Sequence, residues 1–212
     1  MTKSDAEGYR PTKQARSARS EQLLLDAAEE LFAQKGYQGT KVTDIIERSG
    51  CSIGTFYHRF GDKEGLAKVM IERFIDDGRE MIEALDLSRS IHGDLRTMLG
   101  FLAGVLFDTM NERLGAYRAS QRLNTLSSDD IANTVVLVAP LEARLLAHVE
   151  EYGDEITAPD AETALGHALQ LIIMVALQTR LGAGPLFPKE RQGLVDMMVQ
   201  VAMGLLVPGG AS

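Results

Sequence analysis

Polar residues stand close together at Ser52, Thr55, Tyr57, His58 and Arg59. Their types suit contact with a nucleic acid. Thr hydroxyls bond base edges or phosphates, Tyr bonds phosphate, and Arg and Lys add charge.

The intervening residues say what positions this set. Val42, Ile45 and Ile46 recur at i, i+3 and i+4, one apolar stripe of a helix over about residues 41–49. Gly50 follows, the residue type that turns left-handed at no steric cost. Ser52 is placed to cap a second helix ending at Phe60, and Phe56 and Phe60 give that helix a buried side. At 100° per residue, Gly54, Thr55 and His58 point the opposite way, flanked by Tyr57 and Arg59. A helix this short is marginal alone in water because nucleation is costly, so it needs neighbours. Two short helices around a glycine turn, the second showing small and polar groups outward, match a DNA-reading helix-turn-helix. The spacing equally fits an ordinary helical hairpin with a solvated face.

Resemblance separates these readings. The run G-Y-x-x-T-x-V-x-x-I-x-x-x-x-G-x-S-x-G-T-x-Y-x-x-F-x-x-K-E-x-L, at residues 36–66, resembles the DNA-binding domain of the TetR-type (tetracycline-repressor-type) transcriptional regulators. The resemblance reaches from the first helix to the start of the fourth, about a quarter of the chain. It implies that Thr43 and residues 52–55 face the groove, while Thr40, Tyr57, His58 and Lys63 lie near phosphates. Cys51 stands where Val or Ala is usual, and Ser49 where Ala is common. Periodicity puts Ile53 at the edge of the core side, whereas the resemblance puts it at the groove. The groove is the expectation, since the first residue of a recognition helix projects past the core.

The net charge of -8 argues at first against a nucleic-acid partner. Its distribution answers that: residues 1–75 carry 12 Lys/Arg and 11 Asp/Glu, against 10 and 19 thereafter. Lys3, Arg10, Lys13, Arg16 and Arg19 face only Asp5 and Glu7 at the start of the chain, a basic arm able to track phosphates or simply a solubilising tail. A hydrophobic content of 45% with 25% charged residues reads as globular. The single Cys51 excludes an internal disulfide framework and suits a reducing cytosol. No apolar run is expected to reach a membrane span and no signal-peptide core is evident, so a cytoplasmic protein with no membrane partner is expected.

The fold class expected is all-α. Residues 1–16 read as a disordered arm, 17–62 as the helix-turn-helix domain and 63–212 as a helical regulatory and dimerisation domain. A first helix is expected over about 17–35, with Leu24, Ala28, Leu31 and Phe32 as its core stripe. Thr40 is expected to cap the second helix, and Asp62 opens a fourth that runs to about residue 85 and is shared by both halves. Helices follow over about 93–113, 114–126, 127–153, 159–181 and 189–206, with Pro140 expected to kink or divide its own. The last two present wide apolar surfaces with small residues, fit for an intrachain core or for a four-helix bundle across a two-fold axis. The resemblance implies a homodimer through this pair, with Ala164, Ala168, Leu171, Met197, Met198, Val201 and Leu205 as candidate interface residues.

Catalytic chemistry is not in view. His58, His92, His148 and His167 are dispersed, one cysteine cannot build a thiolate metal site, and neither H-E-x-x-H nor G-x-S-x-G occurs. No enzyme activity, metal or cofactor is expected. The resemblance implies a small-molecule pocket in the acidic half, for which Phe101, Phe107, Met110, Tyr117, His167, Gln170 and Met174 are candidates, each with an ordinary packing role as the alternative. The expected function is a sequence-specific DNA-binding regulator, a repressor released from a near-palindromic double-stranded operator by a small hydrophobic or aromatic effector. The alternative is a helical module that binds a protein partner without DNA.

Overall fold

The computed structural model describes residues 13–124, 132–180 and 186–209. Among these there is no strand. The chain forms α1 (Lys13–Gly39), α2 (Val42–Ser49), α3 (Ile53–Phe60), α4 (Lys63–Ala84), α5 (Arg89–His92), α6 (Leu95–Glu112), α7 (Leu114–Asn124), α8 (Ala132–Leu146), α9 (Ala161–Arg180) and α10 (Arg191–Leu206). A short 3-10 turn, Val149–Tyr152, follows α8. The all-α expectation holds.

The apolar stripes assemble two cores. The first takes Leu24, Leu31 and Phe32 of α1, Ile45 of α2, Phe56 of α3 and Leu66, Met70 and Phe74 of α4. It also takes Ala116 and Ala119 of α7. The second gathers Ile82 at the far end of α4 with α6, α8, α9 and α10. Division of the cores therefore does not follow the boundary expected at residues 62 and 63. The first half of α4 belongs to the amino-terminal body, and so does α7, which lies along α1.

Side-chain oxygens cap several helices. Ser52 accepts from Thr55 N–H, Asp62 from Gly65 N–H and Asp94 from Thr97 N–H, each satisfying a donor that its helix leaves orphaned. Gly65 is also required by space, because a Cβ there would run into the Phe60 carbonyl oxygen. Far from the site, the buried Tyr152 hydroxyl donates to the Leu87 carbonyl at 2.9 Å and fastens the loop after α4 to the second core.

Several expectations are corrected. Lys13 to Arg16 are helical, so α1 begins before the arm was expected to end. Lys3 and Arg10 lie outside the described residues, as do 127–128 and 184–185. Lys41, not Thr40, is the N-cap residue of α2, and its N–H donates to the Asp44 carboxylate at 3.3 Å. Of the two outcomes expected at Pro140, a kink or a division, the division does not occur, since the helix continues to Leu146; the proline sits on an exposed side, where water can take the carbonyl that a proline leaves unbonded. An apolar stretch of spanning length does occur: residues 161–179 have mean hydropathy 1.3. In the fold this helix packs on α6, α8 and α10, and Leu165, Ala168, Leu169, Ile172 and Ala176 supply its inner face.

The outward surface of α9 and α10 is narrower than their composition suggests. Ala168 and Met198, expected at a dimer interface, lie in the second core, Met198 only 2% exposed. Val201 and Met174 point outward at 47% and 48% exposure, with Ala164, Leu171, Met197 and Leu205 half-buried beside them. A carboxylate at Met198 would be buried among apolar side chains, at a cost of several kcal/mol. Met198→Glu should therefore lower or abolish the cooperative thermal transition, read by circular dichroism, rather than yield a folded monomer.

Candidate nucleic-acid interface

The candidate surface rests on how α3 is held. Phe56 is fully buried, with Phe60 packed against it at a ring-centroid distance of 5.7 Å. These two side chains fix the rotation of α3 and thereby which residues remain outside. Gly50, at φ 67°, ends α2 in the left-handed region and donates to the Ile46 carbonyl, setting the angle between the helices. Cys51 is half-buried, its thiol 3.6 Å from the Ser20 carbonyl of α1, so a small side chain here closes the turn against α1.

The outward face of α3 then consists of Ser52, Ile53, Gly54, Tyr57 and His58, and Thr43 of α2 is exposed beside it. Ile53 is 60% exposed and Tyr57 49%. The tension over Ile53 is resolved sterically, since as the first helical residue it projects past the core. Thr55 is half-buried, its hydroxyl 2.9 Å from that of Ser52, so the pair forms one small polar patch at the start of the helix.

Three residues expected at this surface are engaged within the fold. Thr40 is 1% exposed, and its hydroxyl donates to the carbonyls of Leu31 (3.2 Å) and Gly36 (2.9 Å). Gly36 (φ 74°, ψ 164°) breaks the helical path of α1, and Thr40 collects carbonyls that the break frees. Lys63 donates to the carbonyls of Tyr37 (2.9 Å) and Thr40 (2.8 Å), with its ammonium 4.4 Å from the Tyr37 ring centre. Burial holds its pKa below the usual lysine range. Arg59 turns toward α1, pairing with Glu21 and donating to the Ser17 carbonyl and hydroxyl. Arg73 of α4 pairs with the same Glu21. These cations cross-link α1, α3 and α4, and periodicity could not distinguish that role from an outward one, because each sits on the flank of its helix.

Gly54 has the reverse character. A Cβ at this position would meet nothing nearer than the Ser52 hydroxyl oxygen, at 3.9 Å, and the backbone is ordinary helix. The fold has no use for a glycine here, and a helical glycine costs about 0.5–1 kcal/mol relative to alanine. A surface that lets something approach the backbone closely explains the choice.

No group of His, Cys, Asp and Glu among the described residues is placed to hold a metal ion. The fold and this surface define a helix-turn-helix regulator. Residues 24–70 match the model of the bacterial regulatory proteins of the tetR family. The chain is 30% identical over 147 residues to the HTH-type transcriptional repressor AcnR of Corynebacterium glutamicum, covering 69% of this chain and 71% of that one. It is 32% identical over 126 residues to the HTH-type transcriptional repressor ComR of Escherichia coli, covering 58% of this chain and 59% of the relative's length. Its fold is shared with a tetR-family transcriptional regulator from Streptomyces coelicolor (TM-score 0.66, 22% identity, 89% of this chain and 80% of that one). The chain belongs to the tetR family.

Gly54→Ala separates a folding role from a contact role. The variant should be more stable by about 0.5–1 kcal/mol, from helix propensity alone. Its affinity for DNA, titrated in a mobility-shift experiment, should fall. A variant that is both more stable and fully competent would remove Gly54 from the contact surface.

Proposed function

We propose that this protein is a sequence-specific repressor that binds double-stranded DNA in the cytoplasm as a two-fold dimer and is released by a small apolar effector. The observation that carries the reading is the outward face of α3: an isoleucine and a tyrosine about half exposed, beside a glycine that the fold does not need. Ile53 suits a thymine methyl, the hydroxyls of Ser52 and Thr43 suit base edges or phosphates, and Tyr57 and His58 suit the backbone. The relatives that carry the name of transcriptional repressor support the direction of regulation.

An eight-residue reading helix contacts few base pairs, so two copies on one DNA face serve affinity and specificity together. Half-site centres would lie roughly 34–36 Å apart or a multiple of that, on a near-palindromic operator. Met174, Val201 and the half-buried Ala164, Leu171, Met197 and Leu205 form an apolar outer strip on α9 and α10 suited to a two-fold contact.

For the effector, the residues that the sequence suggested lie in several different places. Phe101 is exposed and lies over the His92 ring at 4.8 Å, while Phe107 and Tyr117 are buried. His167, Gln170 and Met174 lie on the exposed side of α9. Met110 alone of the seven lines the apolar cavity of about 50 Å3 among α4, α6, α8 and α9, with Phe74, Gly78, Ile82, Leu137 and Ile173. A water needs about 10–15 Å3 measured in this way, so the cavity has room for a few water-sized groups. An effector of ordinary size must spread the helices, and Thr109 is its one polar side chain, which favours an apolar ligand.

A mobility shift with DNA from upstream of the protein's own coding sequence tests the central claim, and a folded protein that binds no DNA would defeat it. The dimer has its own test. Val201→Glu places a charge on the outer strip without entering the core, so it should give a folded monomer by light scattering and a large loss of DNA affinity. A wild-type protein that is monomeric at micromolar concentration would reject the dimer.

A further inference from the structure

Three helices of the amino-terminal body are tied together by a carboxylate shared between two guanidiniums. One oxygen of Glu21, on α1, pairs with Arg59 of α3, and the other pairs with Arg73 of α4. Arg59 also donates to the carbonyl and hydroxyl of Ser17, one turn back along α1. Arg73 donates in addition to the Gln22 side chain at 3.0 Å. The Arg59 and Glu21 side chains are only 17% and 26% exposed, so salt screens this pair less than one lying in open water.

Arg59 directly follows Tyr57 and His58, the two exposed residues of α3 that suit the DNA backbone, and Arg16 and Arg19 are exposed beside Ser17 on α1. Phosphates that approach Tyr57 and His58 therefore come near guanidiniums that a carboxylate already holds. A guanidinium binds carboxylate and phosphate through the same planar fork, so Glu21 occupies donors that a phosphate would otherwise take. An exchange of partners would leave the partly buried Glu21 carboxylate unpaired next to a polyanion, and is opposed for that reason.

We propose that Glu21 sets the specificity of DNA reading, by withholding Arg59 and Arg73 from phosphates and by fixing the tilt of α3 against α1. The proposal rests on the reading of the chain as a DNA-binding regulator, and it makes Glu21 and Arg59 positioning residues. Phosphate contacts supply essentially all of the affinity for unrelated DNA, whereas base contacts need α3 at one tilt. Holding the two arginines weakens the first kind of binding and secures the second, so both effects widen the gap between operator and bulk DNA. With Glu21 neutralised, the arginines turn to phosphates of any sequence.

Glu21→Gln removes the charge and keeps the size. DNA from upstream of the coding sequence and an unrelated duplex of equal length are titrated over a range of salt with wild type, Glu21→Gln, Arg59→Gln and the double variant, with folding checked by circular dichroism. Glu21→Gln should bind the unrelated duplex about threefold or more tightly, with a salt slope steeper by about 0.9 for each arginine released. Its preference for the upstream DNA should fall by about threefold or more. Arg59→Gln should leave the slope on the unrelated duplex unchanged in the wild-type background and lower it by about 0.9 in the Glu21→Gln background, a coupling that a general charge effect does not produce. A folded Glu21→Gln with the slope and preference of wild type would overturn the proposal, and so would an Arg59→Gln that lowers the slope in the wild-type background. Nuclear magnetic resonance on wild type needs no variant to fold: the guanidinium N–H signals of Arg59 should keep their positions when the unrelated duplex is added, and a shift on binding would mean that Arg59 already meets phosphate. A wild type that does not prefer the upstream DNA would instead defeat the functional reading and this proposal with it.

Discussion

An eight-residue helix in water does not hold itself together, and α3 has to present a fixed face. Burial of Phe56 is the interaction on which that face depends. It sets the rotation of α3, and α1, α2 and the start of α4 supply the walls around it. The polar groups nearby work toward the same end. Arg59 ties α3 to Glu21 and Ser17, Arg73 ties α4 to Glu21, and Thr40 with Lys63 collects the carbonyls at the end of α1. Desolvated Lys63 gains from two carbonyl acceptors and an aromatic face, which fits a bracing role. Arg59, Arg73 and Lys63 thus brace the helices behind the outward face of α3.

Close backbone approach recurs where the bodies join, and it is marked by glycine. Gly65 lets α4 begin against the Phe60 carbonyl, Gly115 lets α7 begin against Glu29, and Gly78 lets Leu137 seat on α4. At each, a methyl group would meet a neighbouring atom. At Gly54, on the outward face of α3, a methyl group would meet nothing nearer than the Ser52 hydroxyl oxygen at 3.9 Å, and the same physical test that explains the other three therefore points outward there.

Charge is unevenly distributed along the chain. The acidic surplus lies beyond residue 75, in the part of the chain that follows the helix-turn-helix. Exposed Arg16 and Arg19 on α1 lie within the amino-terminal half.

The order and type of the longer helices, the turn at Gly50, the Ser52 cap and the outward Gly54 and His58 opposite Phe56 are legible in the sequence, because each depends on neighbours within one or two helical turns; Thr43 is expected outward only through the resemblance, and Thr55, outward by period, is half-buried. Residues at the flank of a stripe are not legible in this way. Thr40, Arg59 and Lys63 have the right chemistry for DNA and are used inside, and Ala168 and Met198 have the right chemistry for an interface and are used in the core. Their partners lie on other helices, and no local period encodes which helix arrives. The hydrogen bond from the Gly115 N–H to Glu29 joins residues 86 apart, and the cavity lined by Phe74 and Ile82 exists only once both cores have formed. Periodicity decides what a helix buries; tertiary packing decides against whom, and so decides where the bodies join.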